Sequence, residues 1–382
     1  MTHTSNHFDY IIIGNGLAGL QLALKMAEDI FFNNKQIALI DPSEKTENDK
    51  SWSFWEIGKG QWDHMLLKTW EKAIFRSSKQ TIYLDLTPYL YKTIRSIDFY
   101  EHAKTELSLK KNFKFIVEKV VSVVEGATSQ ITTDQQHYTA QHVFDSRIPE
   151  AYFSAEGKTT KILQHFKGVI IKTDVPHFDP SALTMMDYRL KDAEQTTFTY
   201  VLPFSETEAL VEFTYFTAET VSEQTYDIFL ERYISEYLKI KDYRIIESET
   251  GVIPMTNFPF DRYSTTHVTK IGTGGGWVKG STGYSFKHTE KKVAQIINNL
   301  KLNRDPSEGL FRSKYKFYDK VFLKVLKDDN QKGEWIFEQF YTKNKVQIMF
   351  RFLDETSTFS EELRIMWSLF SWRFLKAFFK TL

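Results

Sequence analysis

The stretch Phe8-Asp9-Tyr10-Ile11-Ile12-Ile13-Gly14-Asn15-Gly16-Leu17-Ala18-Gly19-Leu20 constrains this chain more than any other. An apolar run of strand length enters a glycine-rich turn and then a helix start. Gly14, Gly16 and Gly19 stand at the G-x-G-x-x-G spacing of the first βα unit in a dinucleotide-binding fold. The spacing has a steric logic: Gly14 permits the tight turn, Gly16 lets backbone approach a pyrophosphate, and Gly19 lets helix and strand pack closely. Leu17 and Ala18 open a helix whose unpaired N–H groups and partial positive charge suit phosphate. Gln36-Ile37-Ala38-Leu39-Ile40-Asp41 then reads as a second strand ending in an acid. Asp41 lies about 22 residues past Gly19, the spacing of a carboxylate that binds ribose.

The 382 residues suffice for two domains, or for one large domain carrying an insertion. A net charge of zero argues against nucleic acid as the partner. Aromatic residues make up 15%, enough to line a long apolar pocket as well as fill a core. Cysteine is absent, which excludes disulfides, thiolate metal sites and a cysteine nucleophile and fits a reducing cytoplasm. The polar segment Met1 to His7 lacks the basic start of a signal peptide. No run of 18 apolar residues offers a membrane span.

Further along, Ser51-Trp52-Ser53-Phe54-Trp55 alternates as on a strand, either as a small satellite core or as an aromatic wall beside a ligand. Residues 89–110 show helical periodicity through Leu90, Ile94, Ile97, His102 and Leu107. His142-Val143-Phe144-Asp145-Ser146-Arg147 reads as a strand whose polar end faces the crevice, so Asp145 and Arg147 either pair or approach a cofactor. From Phe166 to Phe216 the pattern is one of successive strands, an antiparallel sheet inserted between parts of the nucleotide fold. A second glycine-rich block at Gly272-Thr273-Gly274-Gly275-Gly276 and Ser281-Thr282-Gly283 precedes a helix, so the chain returns there to the first domain. The fold class is α/β: a Rossmann-type FAD-binding domain, an inserted antiparallel substrate sheet and a helical C-terminus. The nucleotide-binding unit takes residues 1–60, 96–165 and 263–303, the substrate unit 61–95 and 166–262, and the helical region 304–382. In the last helix, read over 362–380, Arg373, Lys376 and Lys380 share one face beside bulky aromatics. That pattern suits either a membrane interface or a helix docked on the core.

Taken together, several segments resemble the bacterial lycopene β-cyclase family of flavoproteins. They are GNGLAG at 14–19, the Asp41 to Trp55 block ending in WSFW, FDSR at 144–147, QHFKGVIIKTDVPHFDP followed by TMMDYR, YVLPFSETEALVE at 200–212, GVIPM at 251–255 and GTGGGWVKGSTGY at 272–284. Gly280 stands where the family usually has proline, a change that removes no functional atom. The resemblance implies cyclisation of lycopene through γ-carotene to β-carotene, with FAD in reduced form, NADPH or NADH as reductant, and no net redox change. It also implies that Glu212, in Leu210-Val211-Glu212-Phe213-Thr214, is the proton donor. An acid that protonates an alkene must be neutral at rest, which burial among apolar side chains achieves. Alternation alone puts Glu212 on a mixed face with Leu210, Thr214 and Phe216, a face that most often meets solvent.

On the same reading, Gly14, Gly16, Leu17, Ala18, Gly19, Asp41, Asp145, Arg147, Gly272, Thr273, Gly274, Gly275, Ser281, Thr282 and Gly283 hold the cofactor, and no metal is expected. An apolar polyene substrate implies a cytoplasmic protein at the cytoplasmic face of a membrane. The alternative is a redox flavoprotein of the same superfamily, an isoprenoid reductase or a monooxygenase. Hydroxylases of that kind carry a Gly-Asp pair in the late glycine block, whereas here Gly272 is followed by Thr273.

Overall fold

The structure, a computed structural model, describes residues 6–155 and 159–381. The polar N-terminal stretch lies outside the described residues through position 5. The opening apolar run forms the strand His7–Ile13, with Ile11, Ile12 and Ile13 all buried. Ile12 packs with Leu20 and Leu22 of the helix Leu17–Glu28, while Ile11 and Ile13 join Ala38, Ile40 and Val143 on the opposite face. Burial on both faces is what a parallel strand needs, and it explains the unbroken isoleucine run.

Five parallel strands lie in the order Phe113–Val117, Ile37–Asp41, His7–Ile13, His137–Asp145 and Val268–Lys270. Numbered along the chain this is 3-2-1-4-5, the dinucleotide-binding order, with its switch point between His7–Ile13 and His137–Asp145. An antiparallel pair, Val120–Val124 and Ser129–Thr133, continues the sheet from His137–Asp145.

A second seven-stranded sheet runs in the order Arg244–Thr256, Lys161–Lys172, Glu208–Thr217, Thr197–Pro203, Ala182–Asp187, Lys72–Arg76 and Thr81–Asp85. All its pairings are antiparallel except that of Ala182–Asp187 with Lys72–Arg76. Its strand Lys161–Lys172 begins five residues before the boundary read at 166, because Ile162 already packs in the sheet's core. On one face the helix Glu223–Arg232 and the π-turn Tyr233–Tyr237 cover Val211, Phe213 and Tyr215. The other face meets the C-terminal helices Ser313–Asp328, Gly333–Lys343 and Val346–Leu353.

A three-stranded sheet of Ser51–Ile57, Tyr89–Arg95 and Lys68–Trp70 forms the partition between the two halves. Phe54 stacks on Phe286 at 4.4 Å in the nucleotide-side core, and its neighbour Trp55 stacks on Phe350 at 4.4 Å in the other. Period-2 alternation thus sends adjacent aromatics into different cores.

Two expectations need correction. The helix read over 89–110 begins only at Ser96, because Tyr89–Arg95 is extended and registered against Ser51–Ile57. Its aromatic and β-branched residues Tyr89, Tyr91, Thr93 and Ile94 favour a pleated, half-buried surface over a helix. The terminal helix read over 362–380 is two, Phe359–Ser368 and Trp372–Thr381. A capping box at Thr358 and Glu361 starts the first. The second docks Ala377 and Thr381 against the fold, and Phe378 meets Phe317 at 5.4 Å.

Candidate active site

Between the two large sheets lies a cavity of about 510 Å³. Gly14, Gly16, Leu17, Ala18, Gly19, Gly272, Thr273, Thr282 and Gly283 line one end. The other end is apolar and aromatic, with Trp55, Phe198, Phe216, Phe337, Phe340 and Phe350 among its walls. Trp52 also lines it, so the WSFW block serves both as core and as wall.

The glycine loop sits at the switch point. Gly14 has φ +100°, and a Cβ there would stand 2.0 Å from Ser146 Oγ, just past the end of the neighbouring strand. A Cβ on Gly19 would stand 2.0 Å from the Gly14 carbonyl oxygen, so helix and turn approach only because it is absent. Gly16 is the N-cap of Leu17–Glu28, has no side-chain cap, and offers open space where a Cβ would be. The first-turn N–H groups therefore face the cavity. Gln164 Oε1 and Thr282 Oγ1 are buried without hydrogen-bond partners, and both residues line the same space. An uncapped helix start, an open cradle and unpartnered polar atoms fit a dinucleotide that brings its own donors and acceptors.

The remaining residues expected around a cofactor are placed less directly. Asp41 accepts from the Asn15 N–H at 2.7 Å and from the Ser43 N–H at 2.8 Å, so it braces the glycine loop from behind instead of lining the cavity. Asp145 and Arg147 pair with each other at 2.9 Å, and Lys270 adds a second cation at 2.8 Å. Those two cations hold the Asp145 carboxyl below its ordinary range even though burial opposes them. Neither Asp145 nor Arg147 lines the cavity; they tie Val268–Lys270 to His137–Asp145. Gly274 and Gly275 pack against the carbonyls of Arg147 and Lys270, and Ser281 is buried beside the cavity. The same loop is anchored by Lys279, fully buried between Asp319 at 3.0 Å and Glu355 at 3.2 Å.

At the aromatic end stands Glu212. The strand Glu208–Thr217 is central in its sheet, with Tyr200 opposite Glu212 on one side and Gly168 on the other. Its mixed face meets the cavity, not solvent, and Glu212 is only 8% exposed. Thr214 Oγ1 donates to Glu212 Oε1 at 2.7 Å. Burial first, then the nearby Glu249 carboxylate, push the Glu212 carboxyl up to about 8, against the Thr214 hydrogen bond. It is therefore neutral at rest. Three phenols gather close by: Tyr91 Oη lies 2.8 Å from Tyr200 Oη and 3.3 Å from Tyr284 Oη. Burial raises all three, so they stay neutral as well. A neutral acid in a chamber walled by aromatic faces can protonate an apolar substrate and shelter a cation.

Sequence reasoning missed the phenol trio, Gln164 and the walls from the C-terminal helices. Tyr200 opens the YVLPF segment, within residues already read as strand, and Tyr284 ends the late glycine block. Those positions were the available signal. Nothing local marked Phe337, Phe340 or Phe350 as cavity residues.

The fold has the dinucleotide-binding strand order, with an apolar cavity beside its glycine loop. The family model described as lycopene cyclase protein matches residues 9–378, and the chain belongs to that family. A neoxanthin synthase of Solanum lycopersicum is 26% identical over 296 residues, covering 72% of this chain and 57% of that protein. The chain thus spans little more than half the length of that relative. Among solved structures, a geranylgeranyl bacteriochlorophyll reductase-like protein of Thermoplasma acidophilum aligns with a TM-score of 0.61 at 13% identity, covering 98% of this chain and 99% of the other. A flavin-dependent brominase aligns at 0.58 and 12% identity, covering 91% and 93%. At such identities the likeness is one of fold alone.

Proposed function

We propose that the chain is an FAD-dependent lycopene β-cyclase that converts lycopene through γ-carotene to β-carotene. The observation that carries this reading is the neutral, buried Glu212 facing an aromatic chamber that is continuous with the glycine loop. Glu212 gives its proton to a terminal double bond of the polyene. The tertiary cation so formed is attacked by the neighbouring double bond, which closes the ring. Loss of a ring proton sets the new alkene, so atoms and electrons balance without a net redox change. The aromatic walls exclude water and present their faces to the cation. The loop at Gly14–Gly19, with Gly272, Thr273, Thr282 and Gly283, would hold FAD. When bound in reduced form, with NADPH or NADH as the source of electrons, it supplies a fixed negative charge near the cation.

A lipid-borne substrate suggests contact with the cytoplasmic face of a membrane. Among the described residues no helix is long and apolar enough to cross a membrane. The C-terminal helices instead leave Trp367, Trp372 and Phe379 exposed beside Arg364, Lys376 and Lys380, a composition suited to an interface. The reading is tested by anaerobic reconstitution with FAD, NADPH and lycopene. β-Carotene without stoichiometric NADPH consumption supports it; NADPH-coupled saturation or hydroxylation would favour a redox flavoenzyme instead.

A further inference from the structure

The sheet that carries Glu212 aligns four residues in one row. Tyr200 pairs with Glu212, Glu212 with Gly168, and Gly168 with Glu249. Two carboxylates thus flank a single glycine. A Cβ on Gly168 would stand 3.0 Å from Leu210 Cδ1, 3.3 Å from Glu249 Cγ and 3.4 Å from Glu212 Cβ, so it would crowd the space between the two acids. Glu249 is buried but does not line the cavity. Its Oε2 accepts from Ser51 Oγ at 3.1 Å, on the partition strand.

We propose that Glu249 is a positioning residue for Glu212, the two acids sharing one row of the sheet on either side of Gly168 so that their charges are coupled. The inference rests on the cyclase reading for its catalytic meaning, but the coupling itself belongs to the substrate-free protein. Two buried carboxylates flanking one glycine cannot both ionise cheaply. The groups facing Glu212 are Thr214 on its own strand, Tyr200, Tyr284, and Glu249 from the edge strand; among these only Glu249 is a second carboxylic acid. Glu249 in turn faces Ser51, Lys50 and Glu247. Burial and neighbouring Glu247 raise its carboxyl too, while Ser51 and Lys50 oppose them.

The test is Glu249→Gln in the FAD-loaded protein, with two readouts. In substrate-free enzyme, the infrared band of the protonated Glu212 carboxyl, assigned by its loss in Glu212→Gln, should titrate about one pH unit lower in the variant. In turnover with lycopene, the alkaline limb of kcat should move down by the same interval. That is about a tenfold loss at a fixed pH above it, with the acid plateau and KM kept. Glu249→Asp should restore much of the shift, since it keeps the charge. Gly168→Ala, which wedges the acids apart without altering either, should move the band the same way by a smaller step, and it serves if Glu249→Gln does not load flavin. An unmoved band in Glu249→Gln, or in Gly168→Ala where that variant stands in, overturns the proposal. Turnover that survives Glu212→Gln would instead overturn the cyclase assignment of Glu212 while leaving the infrared result intact.

Discussion

Replacing Glu212 with Gln removes a titrating proton from the interior while keeping the shape and the Thr214 contact. The ordinary range of a glutamic acid lies near 4.5, and burial with Glu249 raises this one well above it. Below that ordinary range the carboxyl is protonated in folded and unfolded chains alike, and the variant and parent should differ little. Above it, the unfolded chain releases a proton that the folded chain keeps. Parent stability therefore falls as pH rises, by about 1.4 kcal/mol per unit, until the folded group itself ionises. Glu212→Gln does not fall this way. Between pH ~5.5 and ~7.5 the difference between variant and parent should grow by roughly 3 kcal/mol in favour of the variant. Urea unfolding of both proteins, with flavin saturation matched at each pH, measures this. A difference that stays constant across the interval would refute the claim that Glu212 is held neutral by its surroundings.

Other consequences are simpler to read. Gly16→Val places its side chain in open space where a pyrophosphate would approach, so it should keep the fold by circular dichroism yet lose most bound flavin absorbance. Lys279→Met leaves the half-buried Asp319 and Glu355 without their cation and should lower stability by about 1–3 kcal/mol in denaturant titrations. Asp187→Ala strips the partner from Arg189 and from the Tyr233 hydroxyl, which it holds at 2.6 and 2.7 Å, and should cost about 3 kcal/mol or more in the same titration. The double variant Trp372→Ser with Phe379→Ser should weaken flotation on anionic vesicles while leaving turnover in detergent unchanged. Unchanged flotation would remove that surface from the account.

Much of the nucleotide half was legible because its signals are local. The isoleucine strand and the three glycines each follow from steric needs within a few dozen residues, whereas Asp41, read as a ribose carboxylate, braces the glycine loop instead. The site at the aromatic end was less so. Glu212 lies on a strand whose alternation looked solvent-facing, and the cavity it faces is walled in part by helices more than 100 residues later, at Phe337 and Phe340. Only the family resemblance singled it out. Glu249 was hidden for a related reason: its meaning comes from a register across Gly168, which no spacing in the chain displays. Tyr89–Arg95 misled in the opposite way. Its apolar residues satisfy a helical period by coincidence, and long-range pairing with Ser51–Ile57 decided the matter.

The central claim, proton-initiated ring closure by Glu212, is most directly tested by turnover in deuterated water. Anaerobic enzyme with reduced FAD and lycopene should yield β-carotene carrying one solvent deuterium per ring formed, because one hydron enters from the acid and one substrate proton leaves. Glu212→Gln should bind flavin and form no ring. β-Carotene free of solvent deuterium, or full turnover by that variant, would contradict the account.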